Sequence, residues 1–363
     1  MPIFAKTMKA KLASWTLAHF AVDMSCLYIL FRGVETVYRS NEPYLMTIGI
    51  AFMIYNCLAF GLQMVFGSLA DKHPRIEKAI GVVGLAFMLL PLAIIWISES
   101  KTASWIALIL CALLNAAFHV GGGMDVLKKS NGKIAPSGIF VSSGALGVVL
   151  GTLYGKNSNG ALLPVTIVIA ATILLFLSSK KESNHVETEQ KKAFDMLSKL
   201  GVAAITLCLF ITVFIRSYAG IIWPIGFEKT GPLILLPAVS SCLGKALGGI
   251  IADRLGAKET AIVSLALSIV LLFLSQGSWL VTGVSILLFN MAMPITLCGL
   301  ASAMPNHLGF AFGLSTFALL LGCITNSYGI TNINPIYIIT ALGITAIILI
   351  ALSLRSKKSK TPC

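Results

Sequence analysis

Apolar residues fill long uninterrupted runs of this chain, and short polar stretches separate the runs. We number twelve such runs as spans 1 to 12 in chain order. They cover residues 12–31, 44–70, 79–98, 103–126, 136–155, 161–178, 200–222, 232–252, 260–275, 279–300, 309–328 and 335–354. A helix needs about 20 apolar residues to cross a bilayer, and in hydrocarbon its backbone groups must bond within the segment. The pattern therefore predicts an all-α membrane protein with twelve transmembrane helices.

The composition excludes most other classes of protein. Of the 363 residues, 57% are apolar and 11% are charged, whereas about a quarter are charged in soluble domains. The chain has too few charges to cover a soluble enzyme or to remain disordered. Seven of its eight cysteines lie in the apolar runs, and no C-x-x-C is present. Because cysteine packs well as a small apolar residue, we predict no disulfide framework, no bound metal and no other cofactor.

The basic residues are distributed unevenly between the two sides of the predicted membrane. With the N-terminus inside, 20 of the 27 lysines and arginines fall on the cytoplasmic side and 5 on the other side. This bias predicts a plasma-membrane protein with both termini in the cytoplasm and a retained first helix. The net charge of +13 therefore sets topology, and we predict no nucleic-acid partner. The tryptophans lie near span ends and are expected to anchor helices in the interface, namely Trp15, Trp96, Trp105, Trp223 and Trp279.

A repeated segment divides the chain into two halves. The loop after span 2 begins Gly67-Ser-Leu-Ala-Asp71-Lys72, and the loop after span 8 begins Gly249-Ile-Ile-Ala-Asp253-Arg254. The two aspartates are 182 residues apart, which is half the chain. The longest polar stretch, 179–199, follows span 6. These features predict a six-helix bundle over 1–178, a cytoplasmic linker over 179–199 and a second, pseudo-symmetric six-helix bundle over 200–363.

The repeated segment resembles the loop motif of the major facilitator superfamily, G-x-L-A-D-[RK]-x-G-[RK]-[RK]. The resemblance implies a secondary transporter whose two bundles expose a central site alternately to each side. It also implies a conformational gate at the matching positions. These are Gly67, Asp71, Lys72 and Arg75 in the first copy and Gly249, Asp253 and Arg254 in the second. We add Asp125 to the gate because it lies near the cytoplasmic end of span 4.

Three further segments look like one branch of that superfamily, the fosmidomycin-resistance-like drug:proton antiporters. They are His19-Phe-Ala-Val-Asp23 in span 1, Phe118-His119 in span 4 and the run from Ser143 to Gly151 in span 5. The run reads SGALGVVLG. This narrower resemblance implies efflux of a small organic compound in exchange for protons.

Ionisable residues inside the spans are costly and are therefore candidates for function. His19 and Asp23 lie one helical turn apart on one face, and with His119 they are our predicted proton-coupling residues. A fixed pair that only orients helices is the alternative for these residues. Lys245, Arg216 and Asn115 are the predicted substrate-binding residues. Lys245 and Arg216 are expected either to hold an anionic group of the substrate or to pair with Asp23.

The sequence thus predicts a monomeric transporter in a lipid bilayer that moves a small molecule together with protons and performs no enzymatic reaction. Two alternatives remain open. One is an intramembrane enzyme that uses His19, Asp23 and His119, with or without a metal. The other is a non-transporting receptor of the same fold. No Walker A, H-E-x-x-H or G-x-S-x-G motif is present.

Overall fold

The computed structural model describes residues 2–35, 44–98, 100–157, 160, 162–183, 194–275, 277–325 and 333–357. All regular secondary structure in these ranges is helical, apart from one isolated antiparallel bridge between Leu197 and Leu354.

The first half contains the helices of spans 1 to 6, several of them broken into two pieces. Span 1 is the α-helix Pro2–Tyr28 continued by a π-helical segment, Ile29–Glu35. The other helical segments of this half are Tyr44–Asn56, Cys57–Gly61 (π-helical) and Gln63–Lys72 in span 2, Pro74–Ala86 and Leu89–Ile97 in span 3, Lys101–Lys129 in span 4, Ala135–Ser142 and Gly144–Asn157 in span 5, and Leu162–Ser183 in span 6.

The second half repeats this series of helices. Its segments are Val202–Ile221 in span 7, Gly231–Leu235 (3₁₀) and Leu236–Leu255 in span 8, Ala257–Leu274 in span 9, Trp279–Asn290 and Ala292–Ala303 in span 10, Leu308–Thr325 in span 11, and Pro335–Ser353 in span 12. In the described residues, 11 helical stretches are long and apolar enough to cross a membrane. Span 6 contributes a shorter apolar helix, Leu162–Ser178. All twelve predicted spans are therefore helical, and the chain is a multi-pass membrane protein.

Helix packing within each half follows one pattern. Span 1 packs against spans 4, 5 and 6, and span 7 packs against spans 10, 11 and 12. Span 3 packs against spans 4 and 6, and span 9 packs against spans 10 and 12. Each of these contacts of the first half thus recurs six spans later. This repetition confirms the predicted arrangement of two pseudo-symmetric bundles.

The most extensive contacts between the two bundles are two equivalent helix pairs, span 2 with span 11 and span 8 with span 5. A Cβ atom placed on Gly67 would lie 2.9 Å from the backbone nitrogen of Phe310. One placed on Gly249 would lie 2.9 Å from the Cα atom of Ala135. Only glycine allows backbones to approach this closely. Both crossings lie at the end of the molecule that carries the repeated motif, so that end is closed.

Part of the predicted linker packs along the end of span 12. Residues 184–193 lie outside the described ranges. In the segment that follows them, the Ser198 amide donates to the Ser353 carbonyl at 2.9 Å, and the Arg355 amide donates to the Met196 carbonyl at 3.0 Å. Arg355 also forms an ion pair with Asp195. No sequence pattern predicts this contact. The exact linker and bundle boundaries stay a prediction.

Candidate functional site: a buried histidine and aspartate cluster

Spans 1, 4 and 5 bring three of the predicted residues together inside the first bundle. His19, Asp23 and His119 are 5%, 9% and 7% exposed. The glycines of span 5 make room for them. A Cβ atom on Gly144 would lie 2.6 Å from His19 Nε2, and one on Gly147 would lie 2.6 Å from the Phe20 carbonyl oxygen. The glycine run quoted above therefore lets span 5 press directly against span 1.

The three side chains are close enough to exchange a proton. His19 Nε2 lies 3.2 Å from Asp23 Oδ2, and His119 Nε2 lies 3.6 Å from Asp23 Oδ1. The two imidazole Nε2 atoms are 2.9 Å apart, and the rings meet edge to face with centroids 4.6 Å apart. The pair predicted on span 1 is thus part of a cluster that joins spans 1 and 4, and both the proton-coupling role and the alternative of a fixed pair that orients these helices stay predictions.

The backbone fixes the protonation of both rings at their other nitrogen. His19 Nδ1 lies 2.8 Å from the Phe140 carbonyl oxygen, and His119 Nδ1 lies 2.9 Å from the Asn115 carbonyl oxygen. A carbonyl oxygen only accepts, so each Nδ1 carries the hydrogen. Two neutral rings would then face each other with Nε2 lone pairs at 2.9 Å. A proton placed between them would remove this repulsion, and the Asp23 carboxylate lies close enough to both rings to balance its charge.

The same three residues offer ligand atoms within 4.8 Å of one another, a grouping that a metal ion could use. Two imidazoles bound to one tetrahedral zinc at ~2.0–2.1 Å have their nitrogens roughly 3.3 Å apart. The observed 2.9 Å between His19 and His119 is the length of a hydrogen bond. In this conformation the two imidazole nitrogens are therefore at hydrogen-bond distance, and a tetrahedral metal ion would need them about 0.4 Å further apart.

Asn115, a predicted substrate-binding residue, faces Asp23. Its Nδ2 group donates to Asp23 Oδ1 at 3.2 Å and to the Tyr55 hydroxyl at 3.3 Å. Its Oδ1 atom is buried without a hydrogen-bond partner. Asn115 thus positions the aspartate and keeps one acceptor free. Its role toward a substrate stays a prediction.

Arg216 and Lys245 are the two cations inside the spans of the second bundle. Arg216 is 8% exposed, and its Nε and Nη2 atoms have no hydrogen-bond partner. Lys245 lies within electrostatic range of both Arg216 and Asp23. Across the described residues, neither cation forms an ion pair with a carboxylate. The expectation of direct pairing with Asp23 is therefore not met in this conformation, and the guanidinium keeps open hydrogen-bond capacity.

The two motif aspartates cap helices of the opposite bundle. Asp71 accepts hydrogen bonds from the backbone nitrogens of Gly309 and Phe310 at 2.9 and 2.8 Å. Asp253 accepts from those of Ile134 and Ala135 at 2.7 and 3.0 Å. A carboxylate at a helix N-terminus bonds free N–H groups and meets the positive end of the helix dipole. Each aspartate thus holds the two bundles together.

The basic motif residues make no such contact. Lys72, Arg75 and Arg254 are exposed, and over the part of the chain described here their side chains have no hydrogen-bond or ion-pair partner. The structure brings the motif glycines and aspartates together and leaves these three cations at the surface.

Among the described residues, the hydrogen-bond and ion-pair partners of Asp125 all belong to its own bundle. It accepts a hydrogen bond from Trp15 Nε1 at 2.8 Å and pairs with Lys129 at 2.7 Å and with Lys11 at 3.5 Å.

Trp15 is 5% exposed, so the expectation that it anchors its helix in the interface is wrong. Trp223 is also buried, with 8% exposed, and packs on Phe289, so the prediction of an interface anchor is wrong for this residue too. Position near a span end indicates depth, but not which face of the helix turns inward.

Sequence reasoning missed two members of the site. Tyr55 comes from span 2 and its hydroxyl meets Asn115. Phe140 contributes its carbonyl oxygen to His19 and lies with its ring 4.8 Å from the imidazole. A tyrosine in an apolar run gives a weak signal, and a backbone carbonyl gives none.

Comparison with known proteins identifies the fold. No family model matches the chain, and no curated protein matches its sequence. The crystal structure of the human organic anion transporter MFSD10 (TETRAN) is similar, with a TM-score of 0.69 and 13% identity, and the match covers 95% of this chain and 99% of that chain. The major facilitator superfamily transporter FucP in the outward conformation has a TM-score of 0.60 and 12% identity, with 95% of this chain and 100% of that chain covered. A point variant of the E. coli fucose:proton symporter FucP has a TM-score of 0.65 and 12% identity, with 97% of this chain and 99% of that chain covered.

Each match covers nearly the whole of this chain and nearly the whole of the matched chain. The protein therefore has the major facilitator superfamily fold, as the sequence predicted. At 12–13% identity they establish the fold, while substrate and coupling have to be argued from the residues of this chain.

Proposed function

We propose that this protein is a secondary active transporter that couples the movement of a small organic anion to the movement of protons. The observation that carries the proposal is the buried His19, Asp23 and His119 cluster, whose two Nε2 atoms lie 2.9 Å apart. Ionisable groups at membrane depth are costly and mark ion or substrate pathways. The similar structures include an organic anion transporter and a sugar:proton symporter.

The two bundles act as the moving parts in this proposal. They rock about the crossings of span 2 with span 11 and of span 8 with span 5. The Asp71 and Asp253 caps stabilise the conformation in which the motif end is closed. Opening that end breaks four hydrogen bonds from backbone nitrogens to carboxylates. No covalent chemistry is needed, so we propose no enzymatic activity.

The substrate class follows from the unpaired cations. A buried charge without a partner is unfavourable, and Arg216 presents unbonded Nε and Nη2 atoms. A carboxylate, phosphate or phosphonate group accepts hydrogen bonds from a guanidinium at two points. Arg216 and Lys245 therefore suit the anionic group of a substrate, and the free Oδ1 atom of Asn115 suits a donor on the same molecule.

The charges also favour one sign of coupling. Lys245 lies on the part of span 8 that packs on Gly138 of span 5, the span whose Gly144 lies against Asp23. When the cluster gains a proton, its negative charge decreases, and the cations of the second bundle attract an anion more strongly. Proton and anion thus favour each other's binding, as in symport. The resemblance of spans 1, 4 and 5 to drug:proton antiporters predicts the opposite, with the anion leaving as protons enter.

We propose that the protein works as a monomer in the cytoplasmic membrane. The lysine and arginine bias, 20 against 5, supports placing both termini and the motif end in the cytoplasm.

The test is proton flux in proteoliposomes that contain a pH-sensitive dye. A panel of carboxylates, phosphates and phosphonates is added to one side, and the dye reports whether protons move with the anion or against it. We expect Asp23→Asn to abolish substrate-driven proton movement, and His19→Gln and His119→Gln to reduce it at least tenfold. Asp195→Asn, an exposed aspartate paired with Arg355, is the matched control. Equal flux in the wild type and Asp23→Asn across the panel would show that the cluster does not couple protons.

A further inference from the structure

A cavity lies in the first bundle, at the motif end of spans 1, 4 and 5. Its volume is about 360 Å³. Its wall is largely apolar and includes Leu12, Val126 and Ile139, while Lys9, Lys11, Lys129 and Lys133 line it as well. None of the residues of the proposed transport site lines it. The cavity therefore needs an explanation of its own.

The lysines leave the cavity with an excess of positive charge. Asp125 is the acidic residue of its lining, and it already pairs with Lys129 and Lys11. Lys9 and Lys133 are exposed, and no hydrogen bond or ion pair of their side chains occurs among the residues described. Two ammonium groups thus remain open to an anionic group placed at the mouth of the cavity.

The depth of the cavity indicates an amphipathic occupant. It lies at the basic ends of spans 1 and 4, which the lysine and arginine bias predicts to be at the level of the cytoplasmic lipid headgroups. Basic pockets between transmembrane helices bind anionic headgroups, and each nearby lysine adds to the attraction. A small soluble anion would pair with the lysines but would leave the Leu12, Val126 and Ile139 wall uncovered.

We propose that this cavity binds an anionic phospholipid. The phosphate lies between Lys9 and Lys133, and the glycerol and the first carbons of one acyl chain lie against Leu12, Val126 and Ile139. Long lysine side chains reach a headgroup while their stems cover apolar surface.

The bound lipid would also stabilise one of the contacts between the bundles. Ala135 and Pro136 line the cavity, and the backbone nitrogen of Ala135 donates to Asp253 at 3.0 Å. An occupant that packs on this first turn of span 5 holds it in place for the aspartate. Bound lipid is therefore expected to stabilise the closed motif end.

The test measures lipid retention by native mass spectrometry of the purified protein after exchange into nanodiscs of phosphatidylglycerol and phosphatidylcholine. We expect preferential retention of phosphatidylglycerol. The retention ratio should fall about fivefold for each of Lys9→Gln and Lys133→Gln, and further in the double variant. Lys199→Gln, an exposed lysine of the same predicted side, is the matched control and should retain the wild-type ratio. Elution from a sizing column checks that each variant is folded.

Three results would overturn the proposal. The first is an equal ratio for the double variant and the Lys199→Gln control. The second is no preference for phosphatidylglycerol in the wild type. The third is displacement of the lipid by millimolar inorganic phosphate or glycerol phosphate, because this would identify a site for a soluble anion. None of these results depends on proton flux, so the transport proposal stands or falls separately.

Discussion

Asp71 and Asp253 make the same contact from opposite bundles. Each accepts two backbone hydrogen bonds at the start of a helix in the other half, Asp71 at Gly309 and Phe310 and Asp253 at Ile134 and Ala135. The sequence repeat is thus also a repeat in space, related by the pseudo-twofold axis of the fold. Two equivalent locks close one end, and each is expected to contribute to the stability of that conformation.

Replacing either aspartate should favour opening of the motif end. A hydrogen bond to a charged group contributes about 1.5–3 kcal/mol, so Asp71→Ala or Asp253→Ala should shift the population at least about tenfold toward the open form. The measurement is a spin-label distance between cysteines placed at His73 and Asn306, two exposed positions that flank the crossing of spans 2 and 11, in a background without native cysteines.

The control for this prediction is Glu77→Gln. Glu77 pairs with Lys128 at 2.6 Å inside the first bundle, so its loss should leave the distance distribution unchanged. An unchanged distribution in both aspartate variants would remove the locking role.

Much of this architecture could be predicted from the sequence because hydrocarbon imposes a strict rule on it. Twelve apolar runs had to be helices, and the repeated hexapeptide placed Asp71 and Asp253 at equivalent points. The i to i+4 spacing put His19 and Asp23 on one face. These inferences depend only on local periodicity and on the cost of burying charge, both of which are visible in the residues.

Which side chains face inward depends on the rotation of each helix about its axis. Sequence periodicity does not define this rotation when all faces of the helix are apolar. That is why Trp15 was assigned to the interface although it binds Asp125 inside the bundle. Tyr55 and the Phe140 carbonyl were missed because their roles arise from neighbouring helices. The contact of Met196 and Ser198 with the end of span 12 uses backbone atoms alone, so no side chain indicates it.

Removing the guanidinium of Arg216 should abolish anion binding while leaving the protein folded. Its Nε and Nη2 atoms are unbonded, so Arg216→Gln breaks no hydrogen bond of those atoms and relieves an unpaired buried charge. We expect a loss of affinity of about 10- to 100-fold for carboxylates and phosphates, from the usual strength of charged hydrogen bonds. Isothermal titration with the transported anion measures it, and Arg355→Gln, an exposed arginine, is the control. Anion affinity that is unchanged in Arg216→Gln would exclude this residue from the site.

Loss of the Asn115 side chain should shift the pH dependence of transport upward. Its Nδ2 group donates to Asp23 Oδ1 at 3.2 Å, and such a bond favours the charged carboxylate. In Asn115→Leu the carboxylate holds its proton more tightly, so the transport rate should reach its half-maximum about one pH unit higher. Tyr55→Phe keeps the Asn115 to Asp23 bond and should shift the profile less. A shift toward lower pH, or an equal shift in both variants, would contradict this role.

The contact between spans 1 and 5 should be very sensitive to side-chain size. A Cβ atom on Gly147 would lie 2.6 Å from the Phe20 carbonyl oxygen, whereas Gly220 has nothing within 4 Å of such an atom. Gly147→Ala forces the two backbones apart, and overpacking of this kind costs about 1–3 kcal/mol. Gly220→Ala should be neutral or slightly stabilising because alanine favours the helix. Thermal unfolding in detergent micelles compares the two. Because the same displacement shifts span 1, which carries His19 and Asp23, relative to His119 on span 4, we also expect Gly147→Ala to lose proton-coupled flux at temperatures where it remains folded. Equal melting temperatures for both alanine variants would show that the glycine run is not needed for this packing.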